Sequence, residues 1–174
     1  MPKAFRSLLS QGLAIDVLHD PNSPLDEADP RIGAYMDLAR DFPRFRFKKG
    51  VPPDRLAQAS SVYDYGLLLF DYDASGVRIS ESQRKGVVAT KIFTYFEAGL
   101  PVLVNAEYEE MARIVTENGL GLAIHSRDLD RVAAKLSLFD YEKSVQNIHA
   151  FNERHGMDKE IGRLVDFYAQ LGVK

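Results

Sequence analysis

Cysteine is absent from the 174 residues, so disulfides, thiolate metal ligands and a thiol nucleophile are all excluded. Long apolar runs are absent too, and no stretch approaches the ~18 consecutive apolar residues of a membrane span. The apolar residues near the N-terminus, Phe5, Leu8 and Leu9, meet Ser10 and Gln11 at once, unlike the core of a signal peptide. A soluble cytoplasmic protein is therefore expected. Neither sign of charge dominates: 22 Lys and Arg against 25 Asp and Glu give a net charge of −3, with the signs interleaved. That balance argues against nucleic acid or an anionic membrane as a general partner. The histidines His19, His125, His149 and His155 lack metal-ligand spacing, so no metal is expected. No serine stands in a nucleophile elbow, and no common glycine-rich phosphate loop or internal repeat occurs.

With 45% hydrophobic and 27% charged residues, the chain can bury one sizeable core. Short apolar runs read as strands at Leu13–Leu18, Phe45–Phe47, Tyr65–Phe70, Pro101–Val104 and Gly121–Ile124. Helical spacing fills the intervals at Ile32–Phe42, Pro53–Ser61, Thr90–Ala98, Glu107–Asn118 and Leu129–Phe139. This alternation predicts an α/β fold, a Rossmann-like parallel sheet with helices on both faces. Residues 1–139 form its core and residues 140–174 a C-terminal helical segment broken near Gly156, all in one domain. Tyr65–Phe70 lacks polar alternation and reads as a central strand. Two irregular stretches, Asp20–Pro30 and Asp71–Ala89, follow strands, which puts them at the carboxyl edge where such sheets bind ligands.

The most specific segment is Thr90-Lys91-Ile92-Phe93-Thr94-Tyr95-Phe96-Glu97-Ala98-Gly99-Leu100-Pro101-Val102-Leu103-Val104. It reads as a helix ended by Gly99 and delivered into a strand started by Pro101. Downstream come a Glu-rich helix and Gly119-Leu120-Gly121-Leu122. Upstream stand Gly50-Val51-Pro52-Pro53-Asp54-Arg55-Leu56 and Asp64-Tyr65-Gly66-Leu67-Leu68-Leu69-Phe70. These blocks, in this order from about Phe45 to Ile124, resemble the C-terminal, nucleotide-sugar donor domain of GT-B glycosyltransferases of the group 1/family 4 kind.

The resemblance implies a site for the diphosphate of a UDP- or GDP-type sugar, with no further cofactor and no metal. The start of the predicted helix, Thr90 and Lys91, would receive that anion on backbone N–H groups and a lysine charge. Thr90 would also cap the helix. Arg78, Arg84 and Lys85 would supply further cations to the leaving group, as metal-independent transfer requires. Each of these basic residues has an alternative as a solvated surface charge. The resemblance places base readout at the backbone of Val51 and donor-sugar contacts at Asp71 and Glu110. Glu110 has a salt bridge to Arg113 or Arg6 as its alternative; Asp71 and Asp73 have turn formation. Where the family carries a ribose-binding glutamate the chain has Thr94, and Gly86 stands at the earlier acidic position. Glu97, about one turn beyond Thr94, is the candidate substitute.

The family's donor domain opens with an apolar strand, whereas this chain opens in Pro2–Gln11, which reads as the helix after it. The sheet is thus expected to be incomplete at the N-terminus. The acceptor-binding domain would come from a preceding segment or a partner chain, and the chain alone would not be active. In the tail, Ile161, Leu164, Val165, Tyr168 and Leu171 share one helical face and would pack on the domain or mediate self-association. Two readings stand: a glycosyltransferase donor domain, or a degenerate, non-catalytic assembly module of the same fold. A sugar-nucleotide epimerase of similar architecture is a more remote third.

Overall fold

The computed structural model describes residues 2–22, 30–70 and 80–172. Its elements begin with α1 (Pro2–Ser10), β1 (Ile15–His19), α2 (Pro30–Asp41) and β2 (Phe45–Lys49). A 3-10 turn at Pro53–Arg55 leads into α3 (Leu56–Ser60), followed by β3 (Gly66–Leu68), α4 (Glu81–Gly86) and α5 (Lys91–Glu97). Then come β4 (Val102–Asn105), α6 (Glu109–Glu117) and β5 (Gly121–Ile124). A second 3-10 turn at Ser126–Arg131 precedes α7 (Val132–Ser137), α8 (Tyr141–His155) and α9 (Met157–Gln170). The protein is an α/β fold with helices on both sides of parallel strands, as its periodicity predicts.

The strands form two parallel ladders, β1–β2 and β3–β4–β5. Here the structure corrects one expectation. The predicted central strand at Tyr65–Phe70 is the edge of its ladder, and β4 is the middle, with all four residues buried. Side chains alternate between two cores. Leu103 joins Ile15, Phe45, Leu69 and Ile124 beneath α1, α2 and α7, while Val102 and Val104 face α5, α6 and α8. The first core therefore draws on both ladders, and α1 contributes its buried face of Ala4, Phe5, Leu8 and Leu9.

Polar side chains lock the helical layers by bonding backbone groups at helix ends. Gln11 does this twice, donating to Leu129 O at 2.7 Å and accepting from Ala133 N at 2.9 Å. From α8, Asn152 donates to Phe96 O in the last turn of α5, and Ser144 and Asn147 donate to Gly119 O just after α6. Ile148 is fully buried and Phe151 meets the Phe96 ring, so α8 is part of the domain core. Gly66 has a steric cause: a Cβ there would lie 2.3 Å from the Tyr95 ring.

The segment 80–89, expected to be irregular, contains α4. Its signal is the reciprocal cap Ser80-x-x-Gln83, in which each side chain bonds the other's backbone N–H. Among the described residues, no helix is long and apolar enough to cross a membrane.

On the face of β1–β2 away from the first core, the Asp16 side chain is only 3% exposed and meets Arg46 at 2.7 Å and Lys48 at 2.5 Å. Burial by itself raises the Asp16 pKa, but hydrogen bonds from Lys48 and Arg46 outweigh it and leave the net shift downward. A carboxylate whose pKa is lowered by folding stabilises the fold above its unfolded pKa, and the contribution fades as pH falls through the folded value. Asp16→Asn should therefore cost about 1–2 kcal/mol at neutral pH. Denaturant titrations should show its deficit against the wild type shrinking below about pH 4.

Candidate functional site

The carboxyl edge of β3–β4–β5 is built around Asn105, the last residue of β4 and fully buried. Its Oδ1 accepts from Phe70 N at 2.6 Å and its Nδ2 donates to Phe70 O at 3.2 Å. The side chain thereby mimics one more rung of backbone pairing and holds the end of β3 beside β4. On the other side, Ala106 N donates to Ile124 O, so the ends of all three strands are fixed together.

Glu107 follows at the same edge. Its Oε1 accepts from Ser126 N at 2.8 Å, and His125 Nδ1 lies 3.7 Å from the same oxygen. The other oxygen, Oε2, is buried with no hydrogen-bond partner among the described residues, as is Ser126 Oγ. Buried polar atoms are ordinarily hydrogen-bonded, so these two mark a polar niche between the ends of β4 and β5. The ring of Tyr108 closes one side of the edge against Phe70 at 5.7 Å. Burial, followed by the Glu107 charge, pushes the Tyr108 phenol up. The niche comes from tertiary packing; in sequence Glu107 is one of several acids after a strand.

Since β3 and β4 run parallel, the connection between them returns across the sheet, and α5 begins at this carboxyl edge. Thr90 and Lys91 are both exposed there. Thr90 stands at the N-cap position, yet its hydroxyl makes no capping bond and its backbone is already helical, at φ −57° and ψ −28°. The expected cap is therefore not formed. Arg84 and Lys85 sit in α4, whose last residue is within about 18 Å of Lys91 because only five peptide links intervene. Lys85 pairs with Glu81 at 2.7 Å, one turn earlier.

Other expected site residues spread outward. Thr94 is half-buried one turn into α5. Glu97 is exposed in the last turn, about 9 Å farther along the axis than Lys91. Val51 follows β2, in the other ladder. Glu110 is held by a two-pronged bond from Arg113, 2.6 Å to Oε1 and 2.9 Å to Oε2, which keeps its carboxyl below the usual range. Arg113 also reaches Glu117, so this cluster is a helix-surface ion network. Asp71, Asp73 and Arg78 lie outside the described residues. Among the described residues, no group of three or more His, Asp and Glu is placed to hold a metal.

Asn105→Ala should remove both bonds to Phe70 and destabilise the domain by about 1–3 kcal/mol. Amide exchange should then report faster opening at Phe70 than at Ala106, whose N–H keeps its bond to Ile124 O. Equal protection at Phe70 in both proteins would refute the clamp.

Comparison with protein families places this geometry. A family model described as "Glucosyltransferase 3-like, C-terminal domain" matches residues 25–157, well over half of the chain and spanning α2 to the end of α8. Searches of curated proteins and of solved structures gave no match. The chain belongs to the glucosyltransferase 3-like C-terminal domain family and is a glycosyltransferase C-terminal domain.

Proposed function

We propose that the chain binds the donor for glycosyl transfer, a UDP- or GDP-type sugar, at the carboxyl edge of β3–β4–β5, in the manner of GT-B enzymes. The observation that carries this reading is the position of Lys91. In a domain of this family, an exposed lysine opens the helix that starts where the strand ends converge. A lysine there supplies a point charge to a diphosphate. Arg84 and Lys85, at the end of α4, add positive charge on the same approach. Departure of a nucleoside diphosphate develops negative charge, which such fixed cations stabilise without a metal. The acceptor is assigned to a separate acceptor-binding domain or partner chain.

One observation favours a second reading, a non-catalytic assembly module. Thr94 occupies the position where the sequence resemblance expects the ribose-binding glutamate, and Glu97 lies at the far end of α5. A hydroxyl accepts less strongly from the ribose than a carboxylate does, so donor affinity in the first reading rests on the phosphates.

Calorimetric titration with UDP, GDP and their glucose conjugates separates the two. Under the first reading one nucleotide binds, and Lys91→Ala weakens it by about 1–3 kcal/mol with an unchanged circular dichroism spectrum. Affinity should fall with added salt, because the contacts are charge-on-phosphate. Absence of binding at millimolar nucleotide would favour the assembly module.

A further inference from the structure

The two ladders meet where the stepping direction of the chain reverses. The crossover from β1 to β2 passes over the face of α2, whereas those from β3 to β4 and from β4 to β5 pass over the opposite face, with α5 and α6. Crossovers between parallel strands are right-handed, so connections on opposite faces step in opposite directions. The strands therefore spread outward on both sides from β1 and β3. Contacts agree: Tyr63, three residues before β3, donates to the Asp16 carboxylate on β1, and the first core runs beneath both ladders. At such a reversal α/β folds open a crevice beyond the carboxyl ends of the strands. Its two walls are His19, the last residue of β1, and Phe70, just after β3.

His19 is half-buried and firmly set in its wall. Its carbonyl accepts from Gly50 N at 2.8 Å, an approach so close that a Cβ on residue 50 would lie 2.3 Å from that oxygen. Its ring Nδ1 donates to Asp20 O at 2.9 Å, and Asp20 is itself fixed by a turn in which its Oδ1 accepts from Asn22 N. A carbonyl oxygen only accepts, so Nδ1 carries the proton and Nε2 of the neutral ring presents a lone pair. No described residue bonds that Nε2.

The crevice also decides how a nucleotide lies. With its diphosphate at Lys91, the nucleoside has two ways to extend along the strand ends. Toward β5 the ring of Tyr108 is packed against Phe70, and Glu107 holds a carboxylate at the ends of β4 and β5. Toward β1 the crevice leads to His19. The ribose is joined directly to the phosphates, so it is the first part of the nucleoside to come to that wall. We propose that His19 Nε2 accepts a hydrogen bond from a ribose hydroxyl of the bound nucleotide, which makes His19 the residue that distinguishes ribose from deoxyribose. This rests on the donor site proposed above. The contact is between neutral groups, so it adds selectivity that salt does not screen, unlike the attraction of Lys91 for phosphate.

Calorimetric titration of the whole chain with UDP, GDP and their 2′-deoxy and 3′-deoxy forms tests the contact. For the nucleotide that binds, removing one of the two hydroxyls should weaken wild-type binding about five- to tenfold, and added salt should leave that ratio unchanged. His19→Ala should abolish the ratio by losing affinity for the ribonucleotide while binding the deoxy form as the wild type does. His19→Gln, whose amide oxygen accepts, should keep part of the ratio. Lys91→Ala should weaken both forms alike, which separates the phosphate contact from the ribose contact. A ribose preference that survives His19→Ala would overturn the proposal and leave the donor site standing. So would a loss in His19→Ala that is equal for both forms, which would mean damage to the wall. No binding by any of these nucleotides would remove the donor site and this contact together.

Discussion

Strand β4 has no side facing water, and the rest of the domain is arranged around that fact. Val102 and Val104 project one way and Leu103 the other, all three at most 1% exposed. A strand buried on both faces needs a helical layer on each, and α1, α2 and α7 supply one while α5, α6 and α8 supply the other. Burying β4 also buries its polar end. Asn105 meets that demand by bonding both backbone groups of Phe70. The same requirement that stabilises the fold thus fixes the geometry of the edge where ligand would sit.

The ends of the helices that cover such a strand are tied down from a distance. Asn152, Ser144 and Asn147 on α8 reach carbonyls at the ends of α5 and α6. The helix that carries Lys91 is therefore gripped at its far end, by Asn152 on Phe96 O and by Phe96 itself in the core. Its first residue, Lys91, stays exposed. Rigidity at one end and exposure at the other suits an element that must present a charge to a ligand without moving.

The alternation of apolar runs and helical segments was legible because each strand here is buried and each helix is one-sided. Gly99 and Gly119 were legible as helix ends, and both adopt positive φ, 76° and 63°. The family resemblance was legible from the blocks around Gly50, Gly66 and Gly99. At Gly50 and Gly66 a side chain would strike His19 O or the Tyr95 ring, which gives those glycines a structural cause. Less legible was α4, which is short and without apolar periodicity, so that only its cap, Ser80 with Gln83, marks it. Thr90 misled as a cap because its residue type suits the role while its backbone is already helical.

Sequence by itself determined the α/β class, the alternation of strands with most of the helices, the kinship with a glycosyltransferase C-terminal domain and the apolar stripe of α9, since all of these are written in local period and spacing. Tertiary structure alone decided that β4 rather than the run at Tyr65–Phe70 is the middle of its ladder. It also decided that Asn105 and Glu107 shape the strand edge. Those outcomes depend on which residues meet across 19 or 35 positions of chain, as Ser126 meets Glu107 and Asn105 meets Phe70. A local pattern states what a residue can bond, and packing selects which bond it makes.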